Sequence, residues 1–196
     1  MLTATAKWRF QLYNLFQIHR NGGIGVYQQK MMKRQQLTLF LQPRQAAIIE
    51  KIRQHYNPLQ HALIKAHITL CRENEIAQPD KLWHNMLYGN YAAFELQFGP
   101  PERFDAGRGL WLAALPGQQS FIALREGILK KIVQIPHIPT AHITLIHPRN
   151  GFCTDEIFKE VAQYNLPGSF YFDEVSLIEQ ENGGPWKVLR QAYLRS

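Results

Sequence analysis

Apolar residues in this chain recur with two spacings that alternate along it: short runs in strand-like order and longer stretches at helical spacing. Leu37-Thr38-Leu39-Phe40-Leu41 predicts a strand over residues 37–41, stopped by Pro43. Ile48, Ile49, Ile52 and Tyr56 predict a helix over 45–56, ended by Asn57-Pro58. The same reading predicts strands over 63–70, 93–98, 109–115 and 141–146. Further helices are expected over 79–87, 118–131 and 154–164, the last opening near Cys153 or Thr154. A Gly/Pro-rich loop should separate the strands at 93–98 and 109–115. Two strands, 170–178 and 186–194, close the chain around the turn Asn182-Gly183-Gly184-Pro185. The first thirty residues fit this alternation poorly. They are partly amphipathic through Trp8, Phe10, Leu12, Leu15 and Phe16, and Gly22-Gly23-Ile24-Gly25 reads as a flexible break. The expected organisation is a basic N-terminal extension over residues 1–34 and a single domain over residues 35–196.

One pattern stands above this background. The pentapeptide Ala-His-Ile-Thr-Leu occurs at residues 66–70 and again at 141–145, each time after a helix and a Pro-containing stretch. Alternate side chains of a strand share a face, so His67 and Thr69 point together while Ala66, Ile68 and Leu70 point the other way. His142 and Thr144 repeat the arrangement against Ala141, Ile143 and Leu145. Each strand offers an apolar face to a core and an imidazole beside a hydroxyl to a cavity or solvent. Two lobes related by an approximate two-fold would bring both pairs to one groove. Two imidazoles on opposite sides of a phosphorus centre suit in-line displacement, one accepting a proton from the attacking oxygen and the other donating one to the leaving oxygen. Thr hydroxyls can stabilise charge on the non-bridging oxygens. This chemistry requires no metal and no cofactor.

Composition narrows the setting. With 45% apolar and 19% charged residues among 196, the chain can bury a substantial core, which excludes wholesale disorder. No apolar run approaches membrane-spanning length, and no membrane partner is expected. Two cysteines, Cys71 and Cys153, are too few for a disulfide framework. The first thirty residues resemble a transit peptide in charge, yet no serine precedes Ser120, and a cytoplasmic setting is expected. The net charge of +7 is concentrated at the front: residues 1–50 hold seven Lys/Arg and one acid, the remainder fifteen and fourteen. A phosphate-rich partner fits that excess, but so does simple solubility.

At the duplicated motif the sequence resembles the 2H phosphoesterase superfamily, and within it the bacterial 2′-5′ RNA ligase and RNA 2′,3′-cyclic phosphodiesterase group. The resemblance runs over residues 35–194 and includes Leu-Thr-Leu-Phe-Leu ending at Pro43, both His-x-Thr motifs, and the intervening Gly109-Leu110-Trp111-Leu112. It implies an α+β, bilobal, pseudo-two-fold fold with an antiparallel sheet in each lobe, outer helices and a cleft between the lobes. It implies His67 and His142 as the catalytic pair and Thr69 and Thr144 as phosphate ligands. The implied activity is opening of 2′,3′-cyclic phosphates to 2′-phosphates, with 2′-5′ joining of RNA as a side activity. The partner would be RNA with a cyclic phosphate end or a small cyclic nucleotide, bound by a monomer.

Ligase-like relatives often carry an Arg two residues beyond the second motif's Leu, where this chain has His147; Arg149 lies two further on. Arg72 follows the first motif. Arg72 and Arg149 are therefore candidate phosphate-binding residues, and a structural role is expected for His147. Trp186, beside the Gly-Gly-Pro turn, is a candidate base-stacking residue, whereas Trp111 is expected in the core. The remaining histidines, His19, His55, His61, His84 and His137, have no paired context. Three other readings compete. A metal site would draw on His67, His137, His142 and His147, without a His-Glu-x-x-His or clustered Cys/His spacing to support it. A histidine-triad hydrolase needs His-x-His-x-His, which is absent. A non-catalytic RNA- or nucleotide-binding module could keep the same fold.

Overall fold

The computed structural model describes residues 32–134 and 138–195. Strand β1 spans Lys33–Phe40 and leads through helices α1 (Pro43–Tyr56) and α2 (Pro58–Leu63) into β2, His67–Cys71. A 3-10 turn, Glu73–Glu75, and helix α3, Pro79–Tyr88, precede β3 (Phe94–Phe104) and β4 (Gly109–Ala114). Helix α4, Gln119–Leu129, then leads to β5, His142–Ile146, and α5 covers Asp155–Val161. The chain closes with β6 (Ser169–Phe172), β7 (Glu174–Glu181) and β8 (Trp186–Tyr193). The order strand, helix, motif strand thus occurs twice, as β1–α1–α2–β2 and β4–α4–β5.

The strands form two four-stranded sheets, ordered β2-β1-β7-β8 and β5-β4-β3-β6, with every named pair antiparallel. Each motif strand is therefore an edge strand of its own sheet. The mixed α+β fold with one antiparallel sheet per lobe is the one the resemblance implied. Helices α1 and α4 link the lobes, for α1 packs on β5 and α4 packs on β2. Ile49 and Ile52 of α1 and Phe121, Leu124, Ile128 and Leu129 of α4 are buried, at the spacing of a single helical face. Both stripes also contain a buried arginine, Arg53 and Arg125.

Four departures from the expected elements have local causes. The polar stretch Lys33 to Gln36 belongs to β1 because it pairs with Ile178 to Glu181 of β7, with Lys33 bridging Glu179 and Glu181. Pro58 opens α2 instead of ending structure, since proline at the first helical position forfeits an N–H that has no intrahelical partner; β2 accordingly begins at His67, not at 63. Strand β3 continues through Pro100 and Pro101, where a loop was expected. The missing N–H groups are tolerated there because β6 pairs only with residues Phe94 to Gln97, and the β4 register slips between Phe98 and Pro101. The single strand expected over 170–178 is two strands, for the chain passes at Asp173 from one sheet to the other.

Thr154 caps α5, its Oγ1 accepting the Ile157 N–H at 3.2 Å. Asn182 and Gly183 adopt positive φ in the turn between β7 and β8. The expected N-terminal extension, apart from Met32 to Arg34, and His137 lie outside the described residues. Among the described residues no helix is long and apolar enough to cross a membrane.

Candidate active site

The two motif strands share one burial pattern. Ile68 and Leu70, like Ile143 and Leu145, are inaccessible, while His67, Thr69, His142 and Thr144 are half-buried on the opposite face. The alternation in the sequence thus resolves into a core side and a cavity side. His67, Thr69, His142 and Thr144 line the same cavity, of about 560 Å³. Strands β2 and β5 lie against one another across the lobe boundary.

Both imidazoles are fixed in the same way. His67 Nδ1 is 2.7 Å from the Lys65 carbonyl oxygen, and His142 Nδ1 is 3.0 Å from the Thr140 carbonyl oxygen. A carbonyl oxygen only accepts, so each Nδ1 carries a proton and donates it. In the neutral rings Nε2 is then an unprotonated base, with no protein partner among the described residues. Aromatic neighbours brace the rings: Phe40, opposite His67 in the sheet, meets it edge-on at 6.0 Å, and Trp111 lies 4.7 Å from the His142 ring. Burial pushes the His67 pKa down to about 4, aided by the positive charge of Arg53 and by His142 and His147. Burial also lowers His142, and the Arg72 guanidinium reinforces that shift. Because Arg72 follows β2 while His142 sits on β5, this influence crosses from one lobe to the other.

The remaining candidates line the same cavity: Arg72, Arg149 and Trp186. Arg72 and Arg149 are exposed, and among the described residues neither guanidinium has an acidic partner. The Thr69 and Thr144 hydroxyls are likewise without a partner among the described residues. Trp186 is half-buried, with the Arg34 guanidinium 5.4 Å over its ring. Trp111 is not a core residue. The alternation of β4 buries Leu110 and Leu112 and turns Trp111 to the face of its pairing partner Thr144, where it stacks on Phe104 at 4.6 Å.

Several residues around the cavity lie outside the motifs and were not expected there. Arg53 is 2% exposed, donates from Nη1 to Glu50 at 2.6 Å and from Nη2 to the Ile64 carbonyl at 2.7 Å, and lines the cavity. Glu50 in turn accepts the Ala66 N–H at 2.6 Å, so this pair holds the residues just before His67. Buried side-chain polar atoms without a partner among the described residues are Thr38 Oγ1, Trp111 Nε1 and Arg53 Nε. All three border the site: Thr38 pairs with Thr69, Trp111 with Thr144, and Arg53 lines the cavity. Among the described residues no group of three or more His, Cys, Asp or Glu side chains is placed to hold a metal ion.

The family model described as the 2′-5′ RNA ligase superfamily matches residues 41–184, a span that contains both His-x-Thr strands. The chain belongs to that superfamily. The 2H phosphoesterase resemblance of the sequence is therefore a family membership. Solved structures share the fold. E. coli LigT complexed with 3′-AMP matches with a TM-score of 0.55 and 16% identity, covering 84% of this chain and 99% of that chain. A structure described as a phosphoesterase matches at 0.56 and 16%, covering 84% and 100%. TT0787 of Thermus thermophilus matches at 0.53 and 19%, covering 83% and 98%. No curated protein matches the chain in sequence. At such identities the structural likeness concerns the fold of the superfamily, and function rests on the site.

Proposed function

We propose that this protein is a metal-independent phosphoesterase that opens 2′,3′-cyclic phosphates, on RNA ends or nucleotides, to 2′-phosphomonoesters. The observation that carries the reading is the paired imidazoles, each with Nδ1 tied to a backbone carbonyl and Nε2 free on one cavity. In the reaction, one Nε2 takes a proton from water as its oxygen bonds to phosphorus. The other imidazole, protonated at Nε2, gives its proton to the 3′-oxygen as the phosphorus–O3′ bond breaks. Thr69 and Thr144 donate their hydroxyls to the non-bridging oxygens, and Arg72 and Arg149 offset their charge. An RNA 5′-hydroxyl in place of water gives a 2′-5′ linkage by the same displacement, which accounts for joining as a side activity. The solved LigT complexes with 3′-AMP, NADP+ and ATP support a nucleotide as the class of ligand.

The test is hydrolysis of 2′,3′-cyclic AMP and of RNA with a cyclic phosphate end, in chelator, with 2′- and 3′-phosphate products separated by chromatography. The expected product is the 2′-phosphate. His67→Ala and His142→Ala should each lower the rate by about 10²–10⁴-fold, and the double variant by less than the product of the two. A 3′-phosphate product, or full activity in either folded single variant, would overturn the reading. Nucleotide binding without turnover would favour a binding module instead.

A further inference from the structure

The cavity contains a third imidazole, His147, immediately after β5. Its hydrogen bonding is opposite to that of the motif histidines. The Arg149 backbone N–H donates to His147 Nδ1 at 3.1 Å, so this nitrogen is the unprotonated one. The proton of the neutral ring therefore sits on Nε2, which has no protein partner among the described residues. His67 and His142 bring bare Nε2 atoms to the cavity, while His147 brings an N–H. Burial and the neighbouring Arg149 charge both lower its pKa, against a smaller opposing effect of Asp105, which favours the neutral form.

The residue is also held rigidly. Its backbone N–H donates to Asn57 Oδ1 at 2.8 Å, and Asn57 is completely buried. Asn57 Nδ2 donates to the Asn150 carbonyl at 2.9 Å, and Asn150 Nδ2 donates to Gln60 Oε1 at 2.8 Å. These bonds run from the α1–α2 junction across to the loop after β5 and fix its backbone, while the Arg149 N–H holds the Nδ1 edge of the ring. A ring fixed by its Nδ1 edge keeps its remaining donor in one place, which is the condition for recognising an anion.

We infer that His147 is a substrate-binding residue, donating its Nε2–H to a non-bridging oxygen of the phosphate, and that it takes no part in proton transfer. The inference rests on the phosphoesterase reading of the cavity and departs from the structural role expected from the sequence. At the matching position after the first motif stands Arg72, so at this one pair of equivalent positions one lobe offers a charged donor and the other a neutral one, with Arg149 in addition.

Two variants separate binding from structure. His147→Asn keeps an acceptor where Nδ1 meets the Arg149 N–H but has no donor at the position of Nε2. His147→Gln places an amide donor at that position and gives up the acceptor. Binding of inorganic phosphate is measured by calorimetry, alongside KM and kcat for 2′,3′-cyclic AMP and thermal unfolding. The expected result is phosphate affinity weakened about 10–100-fold in His147→Asn, with most of that loss recovered in His147→Gln. A structural role predicts the reverse order, with His147→Asn closer to wild type in affinity and in Tm, and that order would overturn the inference. Equal phosphate affinity in wild type and both variants would overturn it as well. Phosphate binding that follows the expected order, without turnover of any cyclic phosphate by the wild type, would sustain His147 as an anion ligand and sink the phosphoesterase reading alone.

Discussion

Replacing Asn57 by alanine tests how the site is assembled from two lobes. Asn57 lies between α1 and α2, is 0% exposed, and reaches the loop after β5 with both ends of its amide. The fit is close, since a Cβ added at Gly151 would lie 2.6 Å from Asn57 Nδ2. Alanine removes an acceptor from the His147 N–H and a donor from the Asn150 carbonyl. Each orphaned partner costs about 1–2 kcal/mol in this partly buried setting, so the variant should lose about 2–4 kcal/mol. For a domain of this size that corresponds to a fall in Tm of roughly 4–16 °C. The loop also carries His147 and Arg149, so KM for a cyclic phosphate should rise more than kcat falls. Asn57→Asp separates the two bonds, because its carboxylate still accepts from the His147 N–H but cannot donate to the Asn150 carbonyl. Thermal unfolding and steady-state kinetics on the three proteins suffice. A Tm for Asn57→Ala within about 2 °C of wild type, together with an unchanged KM, would refute the role of this residue in joining the lobes.

Further expectations concern charge and recognition. The proposed pair must hold one proton, and His67 is lowered to about 4 while His142 is lowered below 6.5, so the bell-shaped profile of kcat/KM should peak on the acid side of pH 6.5; a maximum above pH 7.5 would contradict it. Because the folded pKa of His67 lies below its unfolded value of 6.5, its stability contribution is complete above that pH and is lost as pH falls toward 4. Up to about 3 kcal/mol is involved, and urea unfolding of wild type and His67→Gln at pH 7 and 4.5 should show the smaller pH dependence in the variant. Arg53→Gln removes a charge that holds the His67 pKa down, so the acid limb of the rate profile should move to higher pH; an unmoved limb would rule out that influence. Trp186→Ala should raise KM for 2′,3′-cyclic AMP about 5- to 100-fold with kcat within threefold, and an unchanged KM would show that its indole does not stack on the base.

The division between what could and could not be read in advance follows the range of the interactions. The motif strands were legible because their information is local: five residues set the alternation, and the repeat showed that both copies carry the same pair. Strand β6 was not parted from β7, although Asp173-Glu174 sets two polar residues side by side and shifts the apolar phase from Phe170 and Phe172 to Val175 and Leu177; the pairing of β6 with β3 and of β7 with β1 follows that break. Lys33 to Gln36 has no apolar signature and becomes strand through its bonds to β7. Arg53 did leave a trace, because it falls on the buried stripe with Ala46, Ile49 and Ile52, where an unpaired charge is costly. A polar residue at a core position of a helix beside a candidate catalytic strand is the signal that would have found it.

The pairs that were legible are also those for which the two lobes are alike, and this has a chemical basis. Displacement at phosphorus needs one proton accepted and one delivered, and the two roles exchange when the reaction runs backward, so equivalent imidazoles with equivalent Nδ1 anchors suit it. Binding imposes no such equality. The proposed substrate is itself asymmetric, with a sugar and base on one side of its phosphate, and the lobes differ in what they bring to the cavity: Arg72 against His147, and Trp186 with Arg34 from the first sheet alone. The Glu50–Arg53 pair supports the approach to His67, whereas Asn57 and Gln60 hold the loop after His142. Both supports come from the α1–α2 segment of the first lobe. Orientation of the two halves of the candidate site is therefore set from one side, and a disturbance in α1 should affect both histidines, while one in β8 should affect recognition of the base alone.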